Sequence, residues 1–99
     1  MAVGLVLQFT NTSIDDYYKV NKLLGIDQAA GTGWPAGLQS HAAGTSADGS
    51  LVVMEVWESR EAQGKFMAGQ LGAAIQQAGL TAVPQMTWFD VASYYTPGG

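Results

Sequence analysis

Apolar and polar positions along the chain change period several times, and each change marks an element. In VGLVLQF, residues 3–9, Leu5, Leu7 and Phe9 share one side and Gly4, Val6 and Gln8 the other, the two-residue period of a strand. NTSIDDYYKVNKLLG then takes helical spacing, with Ile14, Tyr17, Tyr18, Val20, Leu23 and Leu24 as its apolar positions. Thr12 or Ser13 can cap that helix, Asp15 and Asp16 suit the positive end of its dipole, and Gly25 is a natural stop. Residues 26–37, IDQAAGTGWPAG, break any period and predict a loop. A ring as large as Trp34 outside regular structure is expected to cover something.

LQSHAAGT, residues 38–45, and LVVMEVW, residues 51–57, predict the two strands of a hairpin that turns on SADGS, with Asp48-Gly49 at its centre. Ser59 then caps a second helix whose stripe is Ala62, Phe66, Leu71, Ala74, Ile75 and Ala78, ending at Gly79. Gly64, Gly69 and Gly72 each weaken it by up to ~1 kcal/mol against alanine. QMTWFDVASYY, residues 85–95, is the fourth predicted strand. The order β-α-β-β-α-β predicts an α+β, ferredoxin-like fold: a four-stranded antiparallel sheet with two helices on one face. A chain of 99 residues is expected to form a single domain over 1–99.

The helix-covered face should be uniformly apolar. Leu5, Leu7 and Phe9, with Val52, Met54 and Val56, and Phe89 and Val91, meet that requirement. The open face would then hold Val6, Gln8, Gln39, His41, Leu51, Val53, Glu55, Trp57, Met86, Trp88, Asp90 and Tyr94. That set is too apolar to face water, so it predicts either a ligand cavity or the interface of a homodimer.

Composition narrows the partners. The chain is 47% hydrophobic and 12% charged, with a net charge of −4, and Lys19, Lys22, Arg60 and Lys65 form no dense basic patch. A nucleic-acid partner is therefore not expected. With no cysteine, and one histidine among scattered carboxylates, no metal site is expected. No apolar run approaches the ~18 residues of a membrane span, and no basic leader precedes the first strand, so no membrane association and a cytoplasmic location are expected.

The stretch VMEVWES, residues 53–59, running into a helix from Arg60 to Ala78, resembles the antibiotic biosynthesis monooxygenase-like proteins of the dimeric α+β barrel superfamily. WPAG and GLQSHAAG before the hairpin resemble small actinobacterial proteins of that type, and the likeness runs over nearly the whole chain. It implies a dimeric α+β barrel in which two sheets meet face to face. It also implies chemistry without a cofactor on an apolar or aromatic substrate, by oxidation or by acid/base steps of an isomerase or cyclase kind. The haem-degrading branch uses an asparagine in the first strand and a tryptophan and a histidine in the second helix. This chain offers Gln8, Phe66 and no histidine there, so haem degradation is not implied. The quinone monooxygenases also use an arginine, whereas Arg60 stands at the start of the second helix.

His41 is the single histidine, the side-chain type whose ordinary pKa lies nearest neutrality. It is either a general acid/base or a structural hydrogen-bonding group. Glu55 lies mid-strand among apolar neighbours, where a carboxylate must be protonated, paired or wet. A hairpin symmetric about Asp48 sets His41 opposite Glu55, as an acid/base dyad or a satisfied ion pair. One residue of slip would separate them. For substrate binding the candidates are Gln8, Gln39 and Asp90 as polar groups, and Trp34, Trp57, Trp88 and Tyr94 as walls for a flat ligand. Each aromatic has an equally natural place in a core or interface, and Asp90 in an interface hydrogen bond. The function in another class is a non-catalytic homodimer that binds a hydrophobic metabolite or serves as an assembly module.

Overall fold

The computed structural model describes residues 2–10, 12–80 and 84–93. Its elements are β1 (Val3–Phe9), α1 (Ile14–Leu24), β2 (Leu38–Thr45), β3 (Leu51–Trp57), α2 (Arg60–Phe66), a π-helical turn (Met67–Leu71), α3 (Gly72–Gln77) and β4 (Gln85–Asp90). The four strands form one antiparallel sheet in the order β2-β3-β1-β4, with the helices against one face: the α+β, ferredoxin-like plan.

Local chemistry accounts for the element ends. Ser13 and Asp16 close a capping box at the start of α1: the Ser13 Oγ accepts from Asp16 N–H at 3.1 Å and Asp16 Oδ2 accepts from Ser13 N–H at 3.0 Å. Gly25 ends the helix in the left-handed region at φ 77°, where a side chain would be strained. In the hairpin turn, Asp48 accepts from the Ser46 hydroxyl and from Ser50 N–H, and these bonds lower its carboxyl from 3.8 to about 2. Ser59 caps α2 by accepting from Ala62 N–H at 3.1 Å.

The second helical run is not a uniform α-helix. Gly72 N–H reaches back five residues to Met67 O, which widens one turn. A Cβ at Gly72 would stand 2.9 Å from that oxygen, so glycine suits the wide turn. The fourth strand is shorter than expected from the sequence: it ends at Asp90, and Val91 N–H then bonds to Ala2 O. Tyr94 and Tyr95 lie outside the described residues.

The face assignment for β3, β4 and part of β2 is the reverse of the one their composition favours. Leu5 pairs with Glu55, Leu7 with Val53 and Phe9 with Leu51, and Leu5, Leu7, Phe9, Leu51 and Val53 form one buried cluster against Ile14, Tyr17 and Met67. Leu51, Val53, Glu55 and Trp57 therefore face the helices, while Met54 is 54% exposed on the open face with Val52 and Val56. On β4, Trp88 lies opposite Leu5 on the helix side and Phe89 opposite Gly4 on the open side. The cause is that β3 is apolar on both faces, so alternation alone does not choose between them. The face carrying Val52, Met54 and Val56 is the uniformly apolar one, but the His41 and Trp57 partners of Glu55 offset the cost of turning its own face inward.

Ser13→Ala removes the hydroxyl half of the capping box. It is expected to cost about 1 kcal/mol and to lower the melting temperature by roughly 4–8 °C, measured by thermal unfolding. An unchanged melting temperature would show that the cap contributes nothing.

Candidate functional site

Three elements converge above the helix-facing side of β3. The hairpin register sets His41 directly opposite Glu55. Helix α1 lays Tyr17 and, one turn later, Asn21 over this part of the sheet. The loop before β2 brings Trp34 onto the imidazole, with ring centroids 4.6 Å apart.

These groups form a continuous hydrogen-bond chain. Tyr17 Oη lies 2.7 Å from His41 Nε2. His41 Nδ1 lies 2.9 Å from Glu55 Oε2. Trp57 Nε1–H donates to Glu55 Oε1 at 2.9 Å. With Glu55 as a carboxylate, accepting on both oxygens, His41 donates from Nδ1 and its Nε2 accepts the Tyr17 proton. The His41 and Glu55 side chains are 13% and 9% exposed, so both partners are largely withdrawn from water. Burial raises the Tyr17 phenol above its ordinary value of 10.0, and the nearby Glu55 charge adds to the rise. The Asn21 side chain pulls the other way, although its Nδ2 makes no hydrogen bond of acceptable geometry.

The chain opens on a cavity between the sheet and the helices. About 80 Å³ of it is open to the centre of a water molecule, several times the ~10–15 Å³ that one water fills. Its walls are mainly apolar: Leu7, Phe9, Leu38, Leu51 and Val53 from the sheet, Val20 and Leu24 from α1, Phe66, Leu71 and Ile75 from the second helical run, and Trp34 and Pro35 from the loop. Phe66 and Leu71 flank or close the π-helical turn. An acid/base group set among apolar walls can move a proton in a site with little competing water.

Of the residues singled out in the sequence, His41, Glu55 and Trp34 line this cavity. The others do not. Trp57 is fully buried beneath it and orients Glu55. Trp88 lies on the helix side of β4, with the Arg60 guanidinium 4.9 Å from its ring centroid. Gln8 is on the open face, between Val52 and Gln85. Gln39 is exposed at the β2 bulge, and Asp90 is exposed at the end of β4, opposite Val3. Tyr94 falls outside the described residues. Tyr17 and Asn21 were not legible as site residues. Their signal was the four-residue spacing that puts both on one side of α1, but in the sequence Tyr17 looks like part of the apolar stripe. Among the described residues no group of three or more His, Asp or Glu side chains could hold a metal ion. No helix among them is long and apolar enough to cross a membrane.

Solved structures share this architecture end to end. Rv0793 from Mycobacterium tuberculosis superposes with a TM-score of 0.65 at 19% identity, covering 97% of this chain and 100% of the other. A candidate antibiotic biosynthesis monooxygenase from Chloroflexus aurantiacus gives 0.67 at 15% identity, with 99% and 100% covered. The chain has the fold of the antibiotic biosynthesis monooxygenase-like proteins. SnoaB from Streptomyces nogalater, a cofactor-independent oxygenase, has this fold too, with a TM-score of 0.63 at 17% identity over 99% of this chain and 98% of that one. No protein-family model matches the sequence, and a search of curated proteins finds no match.

The raised Tyr17 pKa has a definite sign. Above pH 10 the unfolded phenol loses its proton before the folded one does, so the folded state binds more protons and stability falls as pH rises. Thermal melts across the alkaline range should show this loss in wild type and a shallower one in Tyr17→Phe. Parallel slopes would contradict the placement of Tyr17.

Proposed function

We propose that this protein is an enzyme that performs cofactor-independent chemistry on a small apolar or aromatic substrate bound between its sheet and helices. The observation that carries the proposal is the Tyr17–His41–Glu55–Trp57 chain opening on an apolar cavity. His41 is the general base. A substrate O–H or activated C–H takes the place of the Tyr17 hydroxyl at Nε2, or passes its proton through that hydroxyl, and Glu55 stabilises the imidazolium that forms. Trp57 holds Glu55 in line. The product of this step is an electron-rich anion, the form in which an aromatic substrate can react with dioxygen. The cofactor-independent oxygenase SnoaB has the same fold and supports oxidation as the reaction class. Isomerisation or cyclisation would begin with the same proton transfer. Of the residues expected to wall the substrate, Trp34 keeps that role.

A second function is favoured by one feature: His41 Nε2 is already satisfied by Tyr17. A closed network of this kind also suits a non-catalytic binder of a hydrophobic metabolite, in which the polar chain only fixes the cavity floor.

We place the homodimer interface on the open face of the sheet, through Val6, Val52, Met54, Val56 and Phe89. Met54 is 54% and Phe89 46% exposed. Phe89 lies flat over Gly4, where any Cβ would collide with its ring. An apolar sheet face of this kind calls for a cover.

Native mass spectrometry of protein purified from its own host should show a dimer with a retained small molecule. With that molecule or an aromatic surrogate, His41→Ala is expected to lower turnover by ~10²–10⁴. Equal rates would leave the binder as the function. Met54→Glu should shift the mass measured by light scattering from dimer to monomer; an unchanged mass would move the interface elsewhere.

A further inference from the structure

We infer that Asn21 is a ligand-orienting residue, whose Nδ2 donates to an acceptor oxygen, such as a ketone carbonyl, on a small and otherwise apolar molecule in the cavity. The inference rests on the proposal that this cavity is the ligand site, and it specifies the ligand's chemistry.

Asn21 lines the cavity and is 5% exposed. Its Nδ2 is the one buried side-chain nitrogen or oxygen without a hydrogen-bond partner among the described residues. Buried donors are normally paired, and an unpaired one costs stability that a bound acceptor recovers. The neighbouring polar groups have other engagements. The Tyr17 hydroxyl, whose pKa burial raises and the nearby Asn21 side chain lowers, meets His41 and makes no bond of acceptable geometry with Nδ2; both Glu55 oxygens accept from His41 and Trp57, and Asp16 Oδ2 closes the capping box. Most of the other residues that line the cavity with Asn21, among them Val20, Leu24 and Ile75, offer no side-chain acceptor.

An amide donor in apolar surroundings sets a specific demand. A hydrocarbon of the right shape would fill the cavity and leave the donor unpaired, and an ammonium group would present only further donors. A ketone oxygen answers it and brings no proton of its own. Tyr17 and Asn21 stand one helical turn apart on one side of α1, so a ligand whose oxygen accepts from Asn21 sits beside the Tyr17–His41 end of the chain. A carbon next to a carbonyl is the kind whose proton a histidine base can take, so binding and chemistry would use neighbouring atoms of one ligand.

Acetophenone and ethylbenzene test this directly, since they differ in shape by little more than the carbonyl oxygen. Their affinities would be measured by NMR titration of wild type, Asn21→Leu and Asn21→Ala. The acetophenone-to-ethylbenzene affinity ratio is expected to fall about tenfold in Asn21→Leu and Asn21→Ala. Comparing ratios between proteins cancels the hydration of the probes. In wild type, acetophenone should move the Asn21 side-chain N–H resonances and ethylbenzene should not, a readout that needs no variant. An unchanged ratio, or equal shifts with both probes, would overturn the role of Asn21 while leaving the cavity as a binding site. Failure of both probes to bind wild type would remove the cavity proposal and this inference together.

Discussion

A carboxylate withdrawn from water has to be met by donors, and the placement of Glu55 governs the arrangement around it. It sits on the helix-facing side of β3 and accepts from Trp57 on one oxygen and His41 on the other. Each bond constrains a different part of the molecule. The Trp57 bond is local and holds the carboxylate along its own strand. The His41 bond spans the hairpin, requires its register, and turns the imidazole so that Nε2 points to α1. Removing one donor would leave a buried acceptor unpaired, which usually costs more than the pair contributes when intact.

The cavity follows from that arrangement. The polar chain stands among mainly apolar walls, to which the second helical run contributes Phe66, Leu71 and Ile75. Of the glycines that weaken the second helix in isolation, Gly72 suits its π-helical turn, having no Cβ to crowd the Met67 carbonyl. Trp34 covers the imidazole from a segment with little regular structure. Its place there rests on ring contact, not on backbone pairing with the sheet.

Fold and chemistry separate clearly in this molecule. Solved structures at 15–19% identity share the sheet and helices along almost the full chain. Similarity at that level concerns the backbone plan. On that plan this chain mounts a phenol and an amide from α1, an imidazole from β2, and a carboxylate and an indole from β3. Reaction and ligand have to be argued from those groups.

The element order, a cap at Thr12 or Ser13, the cap at Ser59 and the hairpin turn at Asp48 were legible in the chain, whereas the register facing His41 to Glu55 followed only on the condition of a symmetric hairpin, which the strand pairing meets. Each depends on residues close in sequence: a hydroxyl before a helix, an Asp-Gly turn, a symmetric pair of strands. Which face of β3 and β4 meets the helices was not legible, because Leu51, Val53 and Trp57 are as apolar as Val52, Met54 and Val56. The candidate site was legible only in part for the same reason. Gln8 was assigned by its face to a cavity that lies on the other side of the sheet, and Tyr17 passed for one more apolar helix position. The sequence by itself determined the order of elements and the local pairings that terminate them. Only the tertiary structure decided which side of the sheet is inside, because a carboxylate is tolerated there once partners from separate elements surround it.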